Sequence, residues 1–153
     1  MVAHGRGYTL MEMVMTLTIA GILMSIAVPR MDRIIRRERV RGAANRLAVD
    51  LGYTRIMAMR GGSGAVLRFL PDPRCPRGGS GYRIALRHGQ GDLRTLSAGP
   101  GVLVCYRSNN SDSVIFTSRG LLAPFNNRTI WVAEGDIRDS LTLSVAGRIL
   151  VRR

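Results

Sequence analysis

Near the start of the chain, residues Arg6 to Arg30 read RGYTLMEMVMTLTIAGILMSIAVPR. From Tyr8 to Val28 run 21 residues in which Glu12 is the only charge. As an α-helix they would be about 31 Å long, enough to cross the hydrocarbon core of a bilayer. A charged carboxylate inside a bilayer is costly and normally has a partner and a purpose. The sequence therefore predicts a transmembrane helix in which Glu12 needs a partner.

The remaining composition indicates one modest domain attached to this segment. The chain has 153 residues and a formal net charge of +13, and every one of its 23 basic residues is arginine. Such an excess favours an acidic partner, which could be nucleic acid, anionic lipid or a neighbouring protein. A solvated basic surface without a specific partner is the alternative that charge alone leaves open.

A second pattern follows the apolar run. Between residues 30 and 60, Ile35, Val40, Ala43, Leu47, Leu51, Thr54 and Ala58 recur at nearly the helical period. This predicts an amphipathic helix that ends at the glycine-rich residues 61–64. Beyond it, short β-type runs alternate with turn residues, so the fold class is α+β. The predicted strands are Ala65–Leu70, Tyr82–Leu86, Leu93–Leu96, Val102–Tyr106, Ser113–Phe116, Thr129–Ala133, Ser140–Val145 and Arg148–Val151.

The sequence carries no constellation typical of an enzyme. The segments GGSGA (61–65) and GGSGY (78–82) both fail the G-x-S-x-G nucleophile motif at its last position, and neither is followed by the lysine of a P-loop. Glu134, Asp136 and Asp139 could bind calcium, but a solvated loop is the favoured interpretation. We therefore expect no catalytic residue, metal, cofactor or small-molecule substrate.

The two cysteines, Cys75 and Cys105, lack a second cysteine or a histidine at metal-ligand spacing. They form one disulfide if the domain lies in an oxidising compartment. Two buried free thiols are the alternative, and the sequence does not decide between them.

The segment GYTLMEMVMTLTIAGIL (7–23) resembles the class III signal of type IV prepilins and pseudopilins, in which a short leader ends in glycine and an aromatic residue, T-L-x-E and an apolar run follow. The resemblance implies that a prepilin peptidase cuts between Gly7 and Tyr8 and methylates the new amino group of Tyr8. It also implies that Glu12, fifth in the mature chain, faces the amine of a neighbouring subunit in the filament. In a low dielectric such a pair attracts strongly and removes two unpaired buried charges.

Later segments narrow this resemblance. IFTSRG (115–120), TIWV (129–132) and LTLSVAGRI (141–149) look like the GspH/FimT group of minor pseudopilins and minor pilins. The resemblance implies a pilin-like fold with a leader (1–7), a transmembrane helix (8–29), an amphipathic stem helix (30–60) and a β-rich head (61–153). It implies a minor subunit of a type II secretion pseudopilus or a type IV pilus, single-pass in the bacterial inner membrane with the head in the periplasm.

DNA uptake is the alternative function. FimT-like members resemble this chain in a C-terminal G-R-x-R tail whose arginines are thought to touch phosphate. Here Gly147 and Arg148 match, but Leu150 stands where the next arginine belongs, and the chain ends in Arg152-Arg153. Strand alternation would place Leu150 between two arginines on one face. Arg148, Arg152 and Arg153 are thus candidate DNA contacts on an interrupted basic stripe.

The charges that follow the apolar run conflict with the implied topology. Six arginines, offset by Asp32 and Glu38, follow the run, whereas only Arg6 precedes it. The positive-inside rule would place these arginines in the cytoplasm, and the resemblance places them in the periplasm. They are Arg30, Arg33, Arg36, Arg37, Arg39 and Arg41.

Overall fold

The computed structural model of the protein describes residues 7–76, 78–88, 91–97, 103–109 and 111–152. Its first element, α1, is a single helix of 51 residues, Leu10–Arg60. This one helix contains the apolar run from Leu10 onward and the predicted amphipathic stem. The chain divides into two compact units, Met1–Ile35 and Arg36–Arg153, so the division falls inside α1.

The first unit exposes apolar side chains along its helix. Among the part of the chain that the structure describes, α1 is the one helix long and apolar enough to cross a membrane. Its hydroxyl groups are satisfied within the helix: Oγ1 of Thr16 and Thr18 and Oγ of Ser25 donate to backbone carbonyls in the preceding turn, at 2.9, 2.8 and 2.7 Å. This suits a bilayer, where polar groups find no water.

The second unit is built on an antiparallel sheet of nine strands. The strand order is β6-β5-β1-β2-β4-β7-β8-β9, and β3 pairs with β2 off this path. The strands are β1 Ala65–Pro71, β2 Gly79–Leu86, β3 Asp92–Leu96, β4 Cys105–Ser108, β5 Ser113–Phe116, β6 Leu122–Ala123, β7 Arg128–Glu134, β8 Ile137–Leu143 and β9 Ile149–Arg152.

The later part of α1 packs on one face of this sheet. Five of its apolar side chains are fully buried: Val40, Ala44, Leu47, Leu51 and Ala58. They recur at alternating steps of four and three residues, and the buried Thr54 fills the one interval of seven. Burying a leucine side chain contributes about 1.5–3 kcal/mol, so this apolar stripe fixes the helix on the sheet. Ile35, the first residue of the predicted stripe, is 42% exposed.

Several strand boundaries differ from those predicted. β4 spans Cys105–Ser108 and so extends beyond the predicted end at Tyr106. The predicted start at Val102 lies outside the described residues. β8 begins at Ile137 because it pairs with the whole of β7, from Glu134 back to Arg128. The two-residue β6 carries no alternation that a sequence pattern could reveal. β9 begins at Ile149, so Arg148 belongs to the preceding turn.

The glycines of the GGSGY segment have a packing role. Gly79 pairs with Pro71 of β1 and with Tyr106 of β4, so neighbouring backbone lies on both sides. A Cβ atom at Gly79 would overlap the backbone of Leu70. The segment is where β2 passes closely between two strands, and a missing side chain makes that approach feasible.

Candidate functional site

The amino-terminal motif forms the start of α1. Gly7 and Tyr8 precede the helix, and Tyr8 is 76% exposed. The backbone amide of Glu12 donates to Oγ1 of Thr9 at 3.3 Å, and the amide of Met13 donates to the Thr9 carbonyl at 3.2 Å. Thr9 is therefore the N-cap of α1, and Glu12 occupies the third helical position.

Thr9 and Glu12 have the spacing of a capping box, T-x-x-E. A carboxylate in the first turn also complements the positive end of the helix dipole. Within the described residues Glu12 is exposed and forms no ion pair. The T-x-x-E pattern could have revealed this capping role in the sequence. Glu12 thus stabilises the start of the helix, and its charge remains available to another molecule.

The C-terminal arginines are divided between a turn and a strand. Arg148 lies exposed in the β8–β9 turn, where its backbone amide donates to Oγ of Ser144 at 3.1 Å. Arg152 is the last residue of β9 and pairs with Ser140. Arg153 lies outside the described residues. Leu150, 52% exposed, shares the face of Arg152 by strand alternation.

Gly147, which matches the G-R-x-R pattern, has a structural function here. Its φ is +74°, a conformation that favours glycine. Nη1 of Arg55, from α1, donates to the Gly147 carbonyl at 3.3 Å, and Nε of the same residue donates to the Gly120 carbonyl at 3.0 Å. Arg55 therefore fastens the β5–β6 and β8–β9 turns to the helix, and Gly147 provides the close approach.

The face of the sheet opposite α1 carries a row of polar and aromatic residues that the sequence did not reveal. The strand registers align Arg107 with Trp131, Trp131 with Ser140, and Ser140 with Arg152. The guanidinium carbon of Arg107 lies 6.0 Å from the centre of the Trp131 ring, within the range of a cation–π interaction. This row joins four strands, so only their register could show it.

Cys75 and Cys105 form a disulfide across 30 residues of sequence. It ties the loop after β1 to the start of β4. Disulfides persist in oxidising compartments, which include the bacterial periplasm.

One acidic side chain lies in the interface between α1 and the sheet. Asp50 is 1% exposed; its Oδ2 accepts a hydrogen bond from the Tyr82 hydroxyl at 2.6 Å, and its Oδ1 accepts one from Nη1 of Arg94 at 2.6 Å. Burial, and then the hydrogen bond to Asp50, raise the pKa of Tyr82 well above its usual range. Both carboxylate oxygens of Asp50 are therefore hydrogen-bonded to the sheet, and these two bonds orient the helix on it.

The suggested calcium ligands have other contacts. Oε1 of Glu134 lies 3.4 Å from Nη1 of Arg39 on α1, while Asp136 is exposed in the β7–β8 turn. Across the described ranges, no group of three or more histidine, cysteine or acidic residues is placed to hold a metal ion.

The comparisons with known proteins agree with the amino-terminal motif and with the fold. The family model described as the prokaryotic N-terminal methylation motif matches residues 3–28. Two crystal structures of the type IV minor pilin FimU from Pseudomonas aeruginosa PAO1 match at 25% identity. The first match covers 76% of this chain and 90% of the crystallised FimU chain, with a TM-score of 0.63. The second covers 74% and 92% of the two chains, with a TM-score of 0.59. No curated protein matches significantly by sequence.

The motif and the fold therefore point the same way. The long amino-terminal helix packed on an antiparallel sheet is the type IV pilin fold of FimU, and the apolar start of that helix is typical of type IV pilin membrane anchors. Proteins with this motif and fold are structural subunits, not enzymes. This chain is a type IV minor pilin-like protein that carries the prepilin N-methylation motif.

Proposed function

We propose that this protein is a minor subunit of a type IV pilus-like filament and that a prepilin peptidase processes it between Gly7 and Tyr8. The observation that carries the proposal is the match of residues 3–28 to the methylation motif, on a chain with the fold of FimU. Gly7 and Tyr8 lie ahead of the helix and are exposed, as a peptidase substrate requires. Cleavage would leave Tyr8 with a new amino group, which is then methylated.

In the filament, Glu12 pairs with the amino group of a neighbouring Tyr8. An isolated carboxylate in the bilayer interior is costly, and a cationic amine offsets that cost. Pairing therefore favours the assembled state over the isolated subunit. The motif's match extends over both residues.

The experiment that tests this pairing separates charge from helix capping. Glu12→Gln keeps a side chain that suits the third position of a capping box but removes the charge. Thr9→Ala removes the N-cap and keeps the charge. We expect Glu12→Gln to reach the membrane yet be lost from sheared filaments, and Thr9→Ala to be incorporated. Normal incorporation of Glu12→Gln would refute the pairing.

The filament could belong to a pilus or to a type II secretion pseudopilus. The order of the segments 115–120, 129–132 and 141–149 supports the GspH/FimT group, which serves both machines. FimU is a type IV minor pilin, so the structural similarity favours the pilus. Deletion of the gene should then reduce surface pili, whereas a loss of secreted enzymes with intact pili would assign it to secretion.

The proposal places the head in the periplasm and the amino terminus in the cytoplasm. The disulfide supports this placement, because cytosolic thiols are kept reduced. Two of the arginines that conflict with the positive-inside rule have partners: Arg39 contacts Glu134 and Arg41 lies 3.5 Å from Glu38. Alkaline phosphatase fused after the head should be active, and an inactive fusion would reverse the topology.

A second candidate function is DNA binding during uptake. Arg148 and Arg152 are exposed, and the net charge of +13 supports attraction to phosphate. Titration of the full chain with duplex DNA at several salt concentrations tests it, beside a variant with Arg148, Arg152 and Arg153 changed to glutamine. The slope of log K against log salt concentration should be shallower in the variant by about 0.9 for each phosphate that it no longer neutralises, and this result would support binding. Binding indifferent to these arginines would leave the structural role alone.

A further inference from the structure

The outer face of the sheet contains an open concavity of about 850 Å³ beside the Cys75–Cys105 disulfide. Trp131, Leu103, Pro76 and Ala133 supply apolar surface, and Arg107 and Arg138 stand at its sides. It shares no residue with the amino-terminal motif or with the predicted DNA contacts. Arg152 lies on the same face, two strands from Trp131.

The arginines around this concavity differ in whether they already have an acidic partner. Arg74 is already held by Asp72, whose two carboxylate oxygens accept its Nε and Nη2 at 3.1 and 2.9 Å. The hydrogen bonds from Arg74 hold the pKa of the Asp72 carboxyl well below its usual range. Arg107 and Arg138 are exposed, and neither forms an ion pair with any residue that the structure describes. Two guanidinium groups therefore remain for an external anion.

We infer that this concavity, called here the Trp131 groove, binds an extended peptide segment of a partner protein that carries both carboxylate and apolar side chains. The apolar floor fits an aliphatic or aromatic side chain, and the two arginines fit carboxylates on either side of it. Tryptophan and arginine are the residue types most enriched where protein interfaces concentrate their binding energy. The groove therefore has the composition of an interface centre with a charged rim.

The same features disfavour two other occupants. A nucleic-acid strand would bring a continuous row of phosphates and could not keep them away from the exposed carboxylate of Asp136, whereas a peptide can place an apolar side chain there and its carboxylates at Arg107 and Arg138. A second copy of this chain, with its own net charge of +13, would meet electrostatic repulsion. An acidic segment of a different protein fits the charge and the apolar floor together.

The single tryptophan of the chain makes the test specific, because all tryptophan fluorescence arises in the groove. The full chain, in neutral detergent, is titrated with a short blocked peptide of alternating glutamate and leucine. The same peptide with glutamine for glutamate, and a single-stranded oligothymidylate, are the comparison ligands. We expect a saturable change in fluorescence with the acidic peptide and a much weaker response to the other two.

Two double variants with equal loss of charge then locate the site. Arg107→Gln with Arg138→Gln should weaken binding of the acidic peptide by about tenfold, since exposed ion pairs are individually weak. Arg87→Gln with Arg119→Gln, at exposed positions outside the groove, should leave the affinity within about twofold. Equal weakening by both variants, an equal response to the glutamine peptide, or tighter binding of oligothymidylate would overturn the inference. The titration uses the isolated chain in detergent, so its result does not depend on filament assembly.

Discussion

Oδ1 of Asp50 lies 2.6 Å from Nη1 of Arg94, although the Asp50 side chain is buried in the helix–sheet interface and the Arg94 side chain is half exposed. The pair connects the C-terminal part of α1 to β3, which pairs with no strand except β2 in the described sheet. The Tyr82 hydroxyl occupies the second oxygen of Asp50. Both oxygens of the acid are therefore hydrogen-bonded, and its removal would leave the buried Tyr82 hydroxyl without its acceptor.

The first prediction concerns this acid. Asp50→Ala should lower the free energy of unfolding by about 2–3 kcal/mol, because breaking a buried hydrogen-bonded pair is costly but water reaches Arg94. Urea denaturation of the full chain in neutral detergent, followed by Trp131 fluorescence, measures it. Asp112→Ala, at an exposed position, is the control and should change little. Equal effects of the two variants would show that the buried pair contributes nothing particular.

The second prediction concerns alkaline pH. Burial raises the pKa of Tyr82 and of Tyr106, so folding favours their neutral forms. The resulting stability is complete below the unfolded pKa, about 10, and is lost as pH rises above it. The free energy of unfolding should therefore fall above about pH 10, and Tyr82→Phe should make the fall shallower. An unchanged slope in Tyr82→Phe would contradict the assigned cause.

The third prediction concerns the disulfide. The bond between Cys75 and Cys105 closes a loop of 30 residues, and replacing both cysteines by serine should cost about 3–4 kcal/mol in the chain-entropy account. Urea denaturation of the double variant beside the oxidised parent measures the decrease in stability. Identical midpoints for the two proteins would show that the loop is already confined by other contacts.

The fourth prediction separates backbone strain from crowding in the last hairpin. Gly147 and Gly62 both have positive φ, +74° and +63°. A Cβ at Gly147 would meet the Arg55 side chain and the Gly120 carbonyl, whereas nothing lies within 4 Å of one at Gly62. Gly147→Ala should therefore destabilise the protein by more than Gly62→Ala, since Gly62→Ala incurs only the conformational cost of a left-handed alanine, about 1–2 kcal/mol. Equal destabilisation would remove the structural explanation for Gly147.

The sequence was sufficient to predict the structure where apolar residues recur with a regular period and pack against one surface. The spacing of Leu47 and Leu51 predicted the buried side of α1, and alternation located the longer strands. The sequence was insufficient where two distant elements decide the outcome. A lone Asp50 on an apolar stripe shows no partner until β2 and β3 are placed, and the contact of Arg107 with Trp131 depends on the register of β4 against β7.

The same distinction applies to the amino-terminal motif. Gly7, Tyr8 and Glu12 follow one another in the chain, so a family pattern can find them without a structure. Their use in processing depends on an enzyme outside this chain, and no contact inside the chain reports it.

The central claim is that the protein is a processed pilin-like subunit, and the most direct measurement is the mass of its amino-terminal peptide after isolation from the membrane of a cell that has a prepilin peptidase. We expect a peptide that begins at Tyr8 with a methylated amino group, and we expect it to be absent from a Gly7→Ala variant. A chain that still carries residues before Tyr8, or one cut after the apolar run, would contradict it.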